Sequence, residues 1–171
     1  MMNHATALGA AIDLLHMPSR VRLVRAAALP VGVLALLRIA AGDEEAMREA
    51  TEFAGRSRDV IGEAVRFFIE QILLSPDADS YRVLGASPEA TSAELRRNMA
   101  LLLRWLHPDL DPCAERSIFA TRVTLAWNDL KTLDRRAAYD QLRQISLTKK
   151  SRRSRARDNW AFNKRLGRAT R

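Results

Sequence analysis

The sequence predicts an all-α protein on three grounds. Apolar residues recur at helical spacing through most of the chain, helix-starting and helix-stopping residues separate those runs, and no stretch alternates convincingly at period two. The expected architecture is an N-terminal helical region (residues 1–75), a helical-hairpin domain (79–143) and a disordered basic tail (148–171).

In the first region Leu8, Ile12 and Leu15 share a helical face, and Pro18 closes that segment because a proline cannot continue a helix. A second apolar helix is expected near Val31 to Ala41, ending at Gly42, where a C-terminal cap prefers glycine. Asp43 is placed to cap the next helix, whose first turn carries Glu44 and Glu45 beside the positive end of the helix dipole. From Arg58 to Leu74, Val60, Ile61, Ala64, Val65, Phe68 and Ile72 fall on one side of a helix. The stretch Ser75-Pro76-Asp77-Ala78-Asp79 reads as a linker.

Sharper punctuation marks the second region. Thr91 and Glu94 have capping-box spacing, in which each satisfies a backbone N–H that the first helical turn leaves open. The helix they start should stop before His107, since Pro108 disfavours helical geometry in the residue preceding it. Asp111-Pro112 fits an N-cap followed by proline at the first helical position. The helix that follows carries Phe119, Val123, Ala126, Trp127 and Leu130 at core spacing, and a last short helix is expected over about Asp134 to Arg143. Leu95, Met99, Leu102 and Leu106 give the earlier helix a seam toward its successor, so the two should form an antiparallel hairpin. Its tip offers the imidazole of His107, the rigid Pro108 and the carboxylate of Asp109, a set suited to engaging an arginine on a partner.

These residues resemble a known family. Ser80-Tyr81-Arg82-Val83-Leu84-Gly85 is similar to the Tyr-x-x-Leu-Gly opening of a J domain. Ala90, Glu94-Leu95 and the helix after them lead at family distance into His107-Pro108-Asp109. Val123, Ala126-Trp127 and Leu130 resemble the Ile-x-x-Ala-Tyr-x-x-Leu stretch, with Trp in place of Tyr, and Arg136 with Tyr139-Asp140 resembles the Arg-x-x-Tyr-Asp ending. The resemblance implies a DnaJ-like co-chaperone that docks on a DnaK-type chaperone and stimulates its ATP hydrolysis, with no catalytic residue, cofactor or metal of its own. It implies that Asp109 pairs with an arginine of the chaperone, that His107 and Pro108 hold the loop, and that Arg96, Arg97 and Arg104 steer the encounter.

Two departures qualify the resemblance. Ala100 and Leu101 stand where the family commonly has basic residues, and Trp105 stands where one is frequent. Leu101 and Trp105 form a second apolar face on the helix, with Leu103 on a third; a helix apolar most of the way round is buried on more than one side. That second face is expected to pack on the N-terminal region or on a dedicated partner. The chain also has no Gly/Phe-rich linker, no Cys-x-x-Cys zinc region and no β-rich client-binding segment, which groups it with proteins that share only the J domain.

The charge is unevenly distributed. From Thr148 to Arg171 ten Lys or Arg face one acid, Asp158, within a total of only +8, so everything before the tail is close to neutral. Lys149, Lys150, Arg152, Arg153, Arg155 and Arg157 are dense enough for phosphate contacts, with Trp160 and Phe162 available for stacking on bases. Such a tail equally suits an acidic protein or anionic lipid, or stays solvated. The alternative function is therefore a degenerate J-like adaptor that binds nucleic acid or an acidic protein through this tail. The single cysteine, Cys113, excludes a disulfide framework and a cysteine-based zinc site. The longest apolar run, Ala26 to Leu37, is interrupted by Pro30 and Gly32 and is shorter than the roughly 20 residues that span a bilayer. With no basic cluster ahead of an apolar stretch at the N-terminus, the expected location is cytoplasmic.

Overall fold

The computed structural model describes residues 6–107, 114–146 and 148. They are α-helical with short turns, and no strand occurs among the described residues; a single bridge joins Thr6 to Val31. The chain divides into two compact units, Met1–Thr132 and Leu133–Arg171. No described helix is long and apolar enough to cross a membrane.

The first unit opens with α1 (Ala7–His16), capped by the Thr6 hydroxyl, which accepts from the Gly9 N–H at 3.2 Å. Its core face is Ala7, Ala11 and Leu14, one residue out of register with the expected Leu8, Ile12 and Leu15, which are only half-buried. The small alanines let α1 lie close along α5, its main neighbour, so close approach outweighs the larger side chains. A 3₁₀ turn (Pro18–Arg20) and the short α2 (Val21–Ala26) follow. Residues 27–32 are not helical: Pro30 interrupts them and Gly32 adopts φ +94° before α3 (Val33–Ala40) begins.

α4 (Glu44–Ala54) starts as expected at Asp43, whose carboxylate accepts from the N–H groups of Glu45 and Ala46, both at 3.1 Å. α5 (Arg58–Phe68) does not run on to Leu74 as an α-helix. Residues Ile69–Leu73 widen into a π-turn closed by Leu74 N–H donating to the Ile69 carbonyl, and Ile69, Ile72, Leu73 and Leu74 are all buried there. Arg25 fastens this turn, donating to the Gln71 carbonyl at 2.7 Å and to its side-chain oxygen at 3.1 Å.

α6 (Ser80–Val83) is capped by Asp79, α7 spans Ser92–Trp105 and α8 spans Ala114–Leu130. The Ser75–Asp79 stretch lies inside the first unit, with Ser75 buried, and helices on either side of it pack together: α7 packs on α3 as well as on α8. The second unit contains a helix over 133–146, longer than the expected Asp134 to Arg143.

Candidate functional site: the hairpin of α7 and α8

α7 begins with the capping box read from the sequence. The Thr91 hydroxyl accepts from the Glu94 N–H at 3.2 Å, and Glu94 Oε2 accepts from the Thr91 N–H at 2.7 Å. The Thr91 N–H and hydroxyl hold the Glu94 carboxyl below its ordinary pKa. Along the helix, Leu95, Asn98, Leu102, Trp105 and Leu106 are buried, whereas Met99, Leu101 and Leu103 are half-buried. The solvent face carries Arg96, Arg97, Ala100 and Arg104. Residues at i, i+4 and i+8 lie nearly above one another on a helix, so Arg96, Ala100 and Arg104 form one exposed stripe, flanked by Arg97.

The second apolar face is covered from within the chain. Trp105 is 7% exposed, and its ring lines a cleft of about 180 Å³ with Ile39, Ala40 and Val65 of the N-terminal helices. Arg96, Arg97 and Arg104 stay exposed beside that packing: Arg96 and Arg104 lie on a different stripe of α7, and Arg97 stands in line with Leu101 and Trp105 two turns before the buried ring. His107 is exposed just beyond the helix end. Pro108 and Asp109 lie outside the described residues, as do the Asp111-Pro112 cap and Lys149, Lys150, Arg152, Arg153, Arg155 and Arg157 of the tail. Among the described residues no group of His, Cys, Asp and Glu has the arrangement to hold a metal.

Around the base of the hairpin, polar contacts fix the geometry. Ser80 Oγ donates to Asp129 Oδ2 at 2.7 Å, tying α6 to α8, and Tyr81 is 1% exposed. Asn98 Nδ2 donates to the carbonyls of Leu84 at 3.0 Å and Gly85 at 3.3 Å, tying α7 to the turn after α6.

No protein-family model and no solved structure matches the chain. Among curated proteins it is 38% identical over 79 residues to human DnaJ homolog subfamily C member 16, which is 45% of this chain and 10% of that protein. It is 36% identical over 66 residues to the Curved DNA-binding protein of Coxiella burnetii, 37% of this chain and 20% of the relative. Against the Chaperone protein DnaJ of Leifsonia xyli the identity is 38% over 64 residues, 37% and 17% of the two chains. These partial relatives include DnaJ-family proteins and support reading this stretch of the chain as a DnaJ-like J domain. The chain spans a fifth or less of the length of these relatives.

The J domain's opening motif explains its own glycine. Gly85 adopts φ +60°, and a Cβ there would come within 2.9 Å of Val33 Cγ1 and 3.4 Å of Leu37 Cδ1 on α3. The J domain therefore meets the N-terminal helices at its first turn as well as at Trp105. Arg82 adds a third tie by donating to the Ala27 carbonyl, and Arg122 a fourth by donating to the Leu74 carbonyl at 2.5 Å. Burial lowers the Arg82 pKa, opposed by the charge of Asp79. Sequence patterning missed Asn98. Its signal was a polar residue three positions after Leu95 on the inward side of an otherwise apolar face.

Proposed function

We propose that this J-domain protein is a co-chaperone that docks on a DnaK-type chaperone through the solvent face of α7 and the His107-Pro108-Asp109 loop, and thereby stimulates ATP hydrolysis by the chaperone. The observation that carries this reading is the exposed Arg96, Arg97 and Arg104 stripe leading toward His107 at the end of the helix. Three guanidinium groups on one face raise the encounter rate with an acidic surface and orient it, which is what a transient docking reaction requires. Asp109 then supplies the carboxylate for an arginine of the chaperone, and His107 and Pro108 shape the loop. Hydrolysis takes place on the chaperone, so this chain needs no nucleophile, metal or cofactor for the role.

Binding to the ATP-loaded chaperone tests the docking face. Reversing all three charges (Arg96→Glu, Arg97→Glu, Arg104→Glu) should weaken affinity by about ten-fold or more at low salt, with the gap narrowing as salt screens it. Equal affinity of the reversed and native chains would remove the arginine face from the account.

The density of cations from Lys149 to Arg157 favours a second reading, an adaptor that holds nucleic acid or an acidic protein through the tail. Its signature is salt-sensitive binding of DNA or RNA that is lost on truncation after Leu147, in a chain that leaves the chaperone at its basal rate.

A further inference from the structure

We infer that the docking surface extends beyond the J domain: Arg66 of α5 and the cleft beside Trp105 form a subsite for a carboxylate side chain on the acidic face of the chaperone. The inference rests on the co-chaperone reading of α7. The cleft, about 180 Å³, is lined by Ile39 of α3, by Gly62 and Val65 of α5, by Trp105 of α7 and by the exposed Arg66. An apolar lining keeps water from whatever enters, so a charge pair formed there is stronger than one on open surface.

Pairing singles out Arg66. Helices α3, α4 and α5 carry four arginines. Arg38 pairs with Asp43 at 2.7 Å, Arg48 with Glu45 at 3.4 Å and Arg58 with Glu44 at 2.7 Å. Arg66 has no carboxylate partner among the described residues, although Glu63 stands one turn before it on α5. An unpaired guanidinium keeps its donor fork available for a carboxylate, which it can hold by two parallel hydrogen bonds. Its place gives that fork a use. Arg97, Leu101 and Trp105 are in line along α7, so a stripe that begins at an exposed arginine ends at the cleft, where Arg66 continues the basic surface from another helix. From Arg97 to Trp105 the helix rises about 12 Å, close to the screening length at 0.1 M salt, so cations at its two ends can meet one acidic surface. The N-terminal helices thus do more than cover the apolar side of α7; they add a cation to the face it presents.

Affinity of the full chain for the ATP-loaded chaperone at low salt tests the inference. Arg66→Glu should weaken binding by about five- to ten-fold, with a loss that shrinks as salt rises, and Arg66→Lys should stay within about three-fold of native. Arg56→Glu makes the same charge change at an exposed arginine ahead of α5, whose first residue, Arg58, is already about 12 Å along the helix from Arg66. That control should bind within about two-fold of native. Gly62→Leu tests the cleft itself. A Cβ at Gly62 meets nothing within 4 Å, so the fold accepts the substitution, and the leucine should occupy the cleft and weaken binding by about three-fold or more. Native affinity in Arg66→Glu or in Gly62→Leu, or an equal loss in Arg56→Glu, would overturn the inference and leave the co-chaperone reading standing. A native chain that does not bind the chaperone would overturn that reading, and the inference with it.

Discussion

The N-terminal helices α1–α5 and the hairpin of α6–α8 bury their surfaces with different chemistry. The core of the former is aliphatic with Phe68 at its centre: Ala7, Ala11, Leu14, Leu36, Leu37, Ile61, Ala64 and Val65 are buried, and none of the buried polar side chains precedes Ser75 among the described residues. The hairpin buries Ser80, Asn98 and Tyr81, and uses the first two to tie its helices by hydrogen bonds. Apolar burial is tolerant of small shifts in register, so it specifies that helices pack but little about where a particular group ends up. A buried amide or hydroxyl must meet its partner within a few tenths of an ångström, so it specifies position. The half of the unit to which we assign the docking loop and arginine face is the half that contains such groups.

Several changes would break or sharpen that contrast. Phe68→Ala, which removes a fully buried ring from α5, should cost about 3–5 kcal/mol in urea unfolding. Because Gly85, Trp105, Arg82 and Arg122 join the two halves, the loss should be felt in α7 as well; a hairpin that keeps its full exchange protection in this variant would show that the halves fold independently. Gly85→Ala forces a left-handed residue to carry a Cβ against Val33 and should cost about 2–3 kcal/mol. Adding Val33→Ala should restore the steric part and not the backbone part, giving a favourable coupling in a double-mutant cycle; strict additivity would mean α3 and the J domain are not in contact there. Asn98→Ala leaves the Leu84 and Gly85 carbonyls without their amide donor and should cost about 1–2 kcal/mol in the same assay.

The smallest effect expected is at the capping box. The Glu94 carboxyl has a folded pKa below its ordinary value near 4.5, so its contribution is complete above that value and is lost as the pH falls through the folded pKa. The stability difference between the native chain and Glu94→Gln should therefore shrink as the pH drops below about 4.5. A difference that stays constant through that range would mean the carboxylate plays no part in starting α7.

Local chemistry was readable from the residues. Asp43 and Thr91 start the helices they were expected to start, because a cap depends only on side chains within three positions of it. The roles of the His107-Pro108-Asp109 motif and of Arg96, Arg97 and Arg104 came from the family resemblance, and the structure shows only that His107 and the three arginines are exposed; two-sided burial of α7 followed from the apolar Leu101 and Trp105. What could not be read depended on distant partners. The one-residue rotation of α1 reflects the surface of α5, and the π-turn at Ile69–Leu73 is fastened by Arg25 from another helix. The inward turn of Asn98 is explained only by two carbonyls on the turn after α6. Periodicity finds a helix and its apolar stripe; it carries no information about which neighbour the stripe will meet.

We propose above that this chain activates a DnaK-type chaperone through the loop at the end of α7. Single-turnover ATP hydrolysis by such a chaperone, measured with the native protein and with His107→Gln, tests it most directly. The account predicts stimulation by the native chain and hydrolysis at the basal rate with the variant. Basal hydrolysis with both, in a chaperone that responds to another J-domain protein, would contradict it.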